Sequence, residues 1–423
     1  MKLRRILAAS VAAAMALSMV ACGSKTTNSG SNGNNNETPA TTEKEDVSLV
    51  VWGAEEDQKM LQGMIDSFKE KYADQANFKI ELGVQSESTA KDTILTDVEA
   101  AADVYAFADD QLESLVNAGA LLPVIDDYKD RVSTENGEGS VSAATYDGTL
   151  YAYPMTADNG YFLFYDASYF TEEDVATMDG ILKVCEENGK TFTMQLNSGW
   201  YLYSFFQAAG LELTRNADGS NVCNWNATDT KYKGTDVVET ILDMTASSAY
   251  KLLTDEEFAS GVKDGTVIAG INGTWNAETA AGAWGENYAA AKLPTVVIAG
   301  DEIQMSSFSG YKLIGVNKST AQPYWASTLA DYLTNYDNQV LRFETRGLGP
   351  SNTEAAASDA VAANPAIAAL AQQSAYATVQ RVGDAFWSPT ETFGAIMAAQ
   401  NADGTDLQEL LDTMVEGITA PVE

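Results

Sequence analysis

The sequence predicts an α/β protein built as two bodies, and three observations carry that prediction. Apolar runs alternate with amphipathic helical segments from Val47 onward. The alternation breaks near residues 146–165 and then starts again. A chain of 423 residues is also long for one hydrophobic core and suits two bodies of roughly 150–200 residues each.

Val47–Trp52 (VSLVVW) is a continuous apolar run, as expected of a strand covered on both faces. In Asp57–Tyr72 the residues Met60, Leu61, Met64, Phe68 and Tyr72 recur at helical spacing. Phe78–Val84 then predicts a strand, Thr89–Ala101 a helix, Asp103–Phe107 a strand, and Asp110–Ala118 a helix closed by Gly119. This order implies a parallel, doubly wound sheet with right-handed crossovers. Ligands of such sheets sit beyond the carboxyl ends of the strands, here Trp52–Glu56 and Phe107–Asp110.

Asp147-Gly148 marks a turn, Thr149–Tyr153 a short strand, Pro154 a break and Gly160–Tyr165 a strong strand. Helices follow at Glu172–Asn188, near Tyr201–Ala209 and at Thr235–Ser247, with strands at Thr191–Leu196, Thr266–Ile271 and Lys312–Val316. Helices at Tyr324–Thr334, about Pro365–Gln373 and Asp406–Gly417 complete the chain.

Composition narrows the chemistry. Lys and Arg number 25 against 60 Asp and Glu, a formal charge of −35, which repels phosphate backbones and excludes nucleic acid as a main partner. The chain has no histidine, which removes Ser-His-Asp and Cys-His nucleophiles and His-containing zinc sites. Three cysteines are too few for a disulfide scaffold, and Cys185 and Cys223 are read as a bridge or as two separate thiols. Asn401–Asp406 and Asn216–Gly219 lack the glycine and glutamate spacing of a calcium loop and read as turns, so no metal or cofactor is expected.

The N-terminus carries Lys2, Arg4 and Arg5 and then the uncharged run Ile6–Val20, about 15 residues, too short to cross a bilayer and suited to a secretory segment. Met19-Val20-Ala21-Cys22-Gly23 resembles a bacterial lipobox, with Met19 where leucine is usual; the resemblance implies cleavage before Cys22 and lipidation of its thiol. Residues 22–46 are rich in Ser, Thr, Asn and Gly and read as a flexible tether.

Four stretches, in this order, resemble the extracellular solute-binding proteins of carbohydrate ABC importers, the maltose-binding-protein-like family. They are Val50-Val51-Trp52 with its acidic loop and helix; Tyr146–Pro154; Ile271-Asn-Gly-Thr-Trp275 with Lys292-Leu-Pro294; and Asp384-Ala-Phe-Trp387. The resemblance implies a two-lobe periplasmic-binding-protein-like fold (type II, hinge-bending), each lobe a doubly wound sheet with flanking helices. One lobe would comprise residues 47–156 plus 311–358 and the other 160–307 plus 362–423. It implies a non-enzymatic, monomeric receptor on the extracellular face of the cell membrane, held there by its lipid alone. Its partners would be a carbohydrate and the permease subunits of the importer.

A sugar offers apolar C–H faces and a ring of hydroxyls, so its site needs aromatic plates together with carboxylates or amides. By resemblance Trp275 and Trp387 match stacking tryptophans of the family, and Trp200 and Tyr201 fall where it has another aromatic. Pro389 is expected to keep Trp387 in a loop at a helix entrance, and Trp275 and Trp200-Tyr201 are expected in loops of their own. Candidate hydroxyl partners are Glu55, Glu56, Asp109, Asp110 and Asp158, the last matching a ligand-contacting acid of the family. Phe107-Ala108-Asp109 departs from the maltose-binding pattern, which has a tryptophan beside the acid, so maltodextrin itself does not carry over. Arg342, Arg346 and Arg381 read equally as cleft donors or as salt-bridge partners.

Peptide or polyamine binding and a secreted glycoside hydrolase remain as alternatives, the latter because paired carboxylates need no histidine. The scarcity of cations argues against an amino-acid or peptide carboxylate as ligand. The anchor is directly testable: Cys22→Ala is expected to release the protein from cells into the medium with its folding unchanged, as read by fractionation and immunoblot. Continued membrane association would reject the lipobox reading.

Overall fold

Two long strands run through both halves of the molecule and join ten strands into one sheet. The computed structural model describes residues 44–216 and 218–421. The expected secretory segment, Cys22 and most of the expected tether lie outside the described residues. No helix among the described residues is long and apolar enough to cross a membrane.

The strands are β1 (Glu45–Gly53), β2 (Ala76–Val84), β3 (Val104–Ala108), β4 (Ala152–Asp166), β5 (Thr191–Thr193), β6 (Tyr250–Lys251), β7 (Val267–Gly273), β8 (Tyr288–Ala291), β9 (Ser307–Val316) and β10 (Ala377–Val379). Their order is β6-β5-β7-β4-β9-β3-β1-β2, with β8 also on β4 and β10 also on β9. β2, β1 and β3 are parallel, as are β6, β5 and β7, which agrees with the alternating pattern of each half. β4 and β9 are antiparallel to each other, and they run antiparallel to β7 and β3 respectively. The sheet is therefore mixed.

The burial of these two strands shows what they do. Ala152, Tyr153 and Met155 at the start of β4 sit in one core with Val47, Phe68, Tyr105 and Leu329. Tyr161, Leu163 and Tyr165 at its end sit in a second core with Phe205, Trp225 and Phe386. β9 makes the reverse passage, from Phe308 in the second core to Leu313, Ile314 and Val316 in the first. A third, smaller cluster packs Phe162 and Phe164 against Phe258, Trp284 and Ala366.

Several sequence expectations change. Pro154 does not break the chain but lies inside β4, opposite Leu313. The β4–β9 register shifts twice next to it, between Gly310 and Lys312 and between Lys312 and Leu313, and a strand proline is tolerated at such bulges. β1 begins at Glu45, inside the expected tether, and is buried on only one face: Val47, Leu49 and Val51 are covered, while Val50 and Trp52 are half-buried. The helix after β2 ends at Thr96, because the Asp97 carboxylate accepts from the Glu99 and Ala100 amides and caps a separate turn.

The sequence pattern does not show several of the helices, among them Asp126–Glu135, Asp255–Asp264, Ala277–Trp284, Tyr336–Arg346 and Trp387–Ala398. The turn at Asp147-Gly148 is confirmed, with φ of +46° and +73°, joining the short hairpin strands Thr145–Tyr146 and Thr149–Leu150. Cys185 and Cys223 are free thiols, each pushed up to about 12 by burial.

One buried ion triad ties the start of the chain to a late helix. Asp57 accepts from Arg342 Nη1 at 2.9 Å and from Arg346 Nε at 2.8 Å, and all three side chains are buried. Removing the carboxylate strands the buried Arg342 and leaves Arg346 with Glu278 alone. Asp57→Ala is expected to cost about 3–5 kcal/mol, measured by urea unfolding; a loss below 1 kcal/mol would mean that water replaces it.

Candidate functional site

A cavity of about 540 Å³ opens between the two cores, within the size range of small-ligand sites. The carboxyl ends of β1 and β3 reach it, bringing Glu56 and Asp110 to its wall. Trp275, Trp387, Trp200 and Tyr201 also line it. Six of the nine expected site residues thus share one cavity. Glu55 is exposed and outside the lining, Asp109 is turned away to receive the Tyr311 amide and Arg381, and Asp158 is buried outside the lining, its Oδ2 accepting the Gly349 amide at 2.6 Å.

The aromatic residues sit in regular structure, not in loops. Trp275 occupies the single 3₁₀ turn Thr274–Asn276 directly after β7. Its indole folds back over Gly273, where a Cβ would lie 2.0 Å from the ring, so only glycine fits in this part of the Ile271–Trp275 motif. Trp200 is in the first turn of helix Gly199–Ala208 and stacks on Phe308 with centroids 5.5 Å apart. Trp387 is the first residue of helix Trp387–Ala398; Pro389 is accommodated in that first turn, where amides have no helical partner in any case.

Asp255, at the start of helix Asp255–Asp264, holds the Trp275 side of the wall. It accepts from Trp275 Nε1 at 3.2 Å, from Asn272 at 2.9 Å and from Asn276 at 3.3 Å. The sequence signal that could have located it is Thr254-x-x-Glu257, which forms a capping box at this helix start. Tyr201, almost fully buried, directs its hydroxyl at Asn272 Oδ1 across 3.5 Å, and burial pushes its phenol well above the usual range. On the opposite wall Gln111 braces the loop after β2 by donating to the Glu87 and Ser88 carbonyls, which fixes Glu87 in the lining. Lys312 of β9 completes the wall. A lysine within the otherwise apolar Lys312–Val316 segment was its only warning in the sequence.

The cations weighed as cleft donors or ion-pair partners are ion-paired. Arg342 bonds Asp57, Arg346 bonds Glu278 at 2.6 Å as well as Asp57, and Arg381 bonds Asp109 at 2.7 Å; Lys91, not among those cations, bonds Asp384 at 2.7 Å. Together with Arg215–Glu113, the pairs of Glu278, Asp109 and Asp384 link elements of the first core to elements of the other two clusters, around the cavity. Among the described residues no cluster of His, Cys, Asp and Glu is placed to hold a metal ion.

Asp110 accepts from Gln380 at 3.2 Å; burial, then the neighbouring Asp109, push its carboxyl up to about 6, against the pull of Arg381. A carboxyl raised from 3.8 to about 6 favours folding while protonated, below about pH 4, and that contribution is lost as pH rises through 6. Asp110→Asn is therefore expected to raise unliganded stability by about 1–3 kcal/mol at pH 7.5 and to leave the charge-dependent difference absent near pH 3.5. Thermal melts of both proteins at the two pH values read this out; an equal effect at both would assign the change to packing.

Residues 63–369 match the family of bacterial extracellular solute-binding proteins. A galactooligosaccharide-binding protein of Bacillus subtilis (strain 168) is 23% identical over 416 residues, covering 92% of this chain and 91% of its own length. A protein solved with acarbose is 31% identical and superposes with a TM-score of 0.74, covering 86% of this chain and 98% of that one. The Thermus thermophilus maltotriose-binding protein, solved with maltotriose, shares the fold at 18% identity and a TM-score of 0.74, over 88% of this chain and 99% of that one. The two-lobe arrangement of maltose-binding-protein-like proteins is thus the fold of this chain, and the chain belongs to the family of bacterial extracellular solute-binding proteins.

Proposed function

We propose that this chain captures a sugar or oligosaccharide outside the cell and delivers it to the permease subunits of an ABC importer, as a monomer anchored to the membrane through a lipid on Cys22. The observation that carries the reading is the convergence of three indoles and Tyr201 with carboxylates and amides on one cavity between two cores. Indole faces suit the apolar faces of pyranose rings, and the polar groups suit the hydroxyls. The sugar ligands named for similar proteins, acarbose and galactooligosaccharide, support the same class. The family's function is binding, and no chemical step is assigned to the site.

In this reading residues 47–156 plus 311–358 and residues 160–307 plus 362–423 are the two lobes. They hinge on β4 and β9 and close over the ligand, with the ion pairs around the cavity meeting in the closed form. A second reading, a polyamine ligand, draws on the carboxylates of Glu56, Glu87, Asp110 and Asp255 in the lining.

The test is calorimetric titration of residues 44–423 with maltotriose, acarbose, galactooligosaccharides and spermidine. A glycan is expected to bind and spermidine not to; the reverse would replace the sugar with a cation. Trp275→Ala and Trp387→Ala are each expected to weaken glycan binding about 10- to 150-fold through loss of roughly 1.5–3 kcal/mol of apolar burial. Their melting temperatures without ligand should stay close to the wild type. A collapsed melt with binding intact would make either residue a core tryptophan.

A further inference from the structure

Lys312 is 8% exposed and lies midway along β9, between the two register shifts where β4 and β9 cross from one core to the other. Bulges re-aim side chains, and here the side chain is turned to the cavity. Its ammonium makes no hydrogen bond among the described residues. The one carboxylate it pairs with is Glu87, itself 5% exposed and also in the lining, and the Nζ–Oε2 separation of 3.9 Å is beyond hydrogen-bond reach. The same ammonium sits 5.5 Å from the centre of the Trp275 ring.

The ammonium and the carboxylate are buried side by side without a hydrogen bond between them, so this pair does not replace the hydrogen bonds each made to water. Burial pulls the Lys312 amine down, but Glu87, Asp158, Asp57 and Glu56 more than offset it, so the amine titrates above an ordinary lysine and stays charged. Three N–H donors and a carboxylate therefore face the cavity unspent. An oxygen about 2.8 Å from each of two atoms 3.9 Å apart subtends roughly 90° between them, a position one hydroxyl can occupy. Such a hydroxyl accepts from Lys312 and donates to Glu87 at once. An ether oxygen has no proton for Glu87, an ammonium has no lone pair for Lys312, and a carboxylate is repelled by Glu87.

We propose that Lys312 and Glu87 form a hydroxyl-reading pair that selects the ligand by one hydroxyl, on the sugar ring lying against Trp275. The proposal rests on the sugar reading above and adds what that reading leaves open, the residues that decide which sugar is accepted.

The test uses maltotriose and a galacto-trisaccharide, each with its monodeoxy and mono-O-methyl derivatives, titrated into wild type, Lys312→Met and Glu87→Gln. One derivative position is expected to cost the wild type ten- to a hundredfold in affinity, by deoxygenation and by O-methylation alike. Each variant should lose a similar factor for the parent sugar and lose almost nothing further for that one derivative. Glu87→Gln keeps the shape and removes the charge that strengthens the hydroxyl's bond, so it covers the case in which Lys312→Met does not fold; melting temperatures without ligand report which case holds. A wild-type scan with no position costing tenfold overturns the proposal whatever the variants do. Variants that bind the parent sugar as tightly as wild type, or lose the same factor for every derivative, overturn it too while leaving the sugar reading standing. A wild type that binds no glycan overturns both.

Discussion

The pairing of β4 with β9 is the constraint on which the rest of the molecule depends. Each strand begins in one core and ends in another, so neither core is complete without chain supplied through the crossing. The same crossing forms the floor on which the cavity opens, because Asn159 and Lys312 lie at its irregular middle. The ladder shifts register there by single residues, and a strand pair interrupted in this way has fewer regular hydrogen bonds to resist bending. Regular ladders lie on either side, one in each core, with the irregular segment between, which is where the proposed hinge would bend.

Electrostatics around that cavity divides into two kinds. At its margins Arg346–Glu278, Arg381–Asp109 and Lys91–Asp384 join parts of different cores with short ion pairs. Several of these side chains are partly exposed, so each pair is worth little alone and is weakened by salt. Inside, burial pushes the Asp110 carboxyl up to about 6 while it accepts from Gln380, and Lys312 faces Glu87 without a hydrogen bond. Lys312 and Glu87 keep hydrogen-bonding capacity on the cavity side, which is where the proposed hydroxylated ligand would use it.

The aromatic wall shows how local sequence and distant packing combine. Gly273 permits the Trp275 indole to fold back on its own strand, a decision made within three residues. The indole's orientation is then fixed by Asp255, twenty residues earlier and on another helix, which also gathers Asn272 and Asn276. Trp200 is oriented by Phe308 of β9 and by Tyr161 of β4, so the plates are registered against the crossing strands themselves.

What the sequence determined by itself was whatever depends on short-range pattern. The apolar runs located β1, β2, β3 and β7, helical spacing located Gln58–Lys71 and Pro365–Gln373, and the strand ends directed attention to Glu56 and Asp110. Composition, with no histidine and a large acidic excess, excluded nucleic acid and His-dependent chemistry, and only the resemblance carried by the four stretches pointed to a sugar. Tertiary structure alone decided the rest, because those outcomes depend on residues brought together from far apart in the chain. Pro154 reads as a break until Leu313 lies opposite it, and no local pattern shows that the Gly349 amide, 191 residues on, holds one oxygen of the Asp158 carboxylate. Lys312 looks like an ordinary strand lysine until the β4–β9 bulge turns it to the cavity beside Glu87, 225 residues before it in the chain, and no local periodicity encodes that meeting.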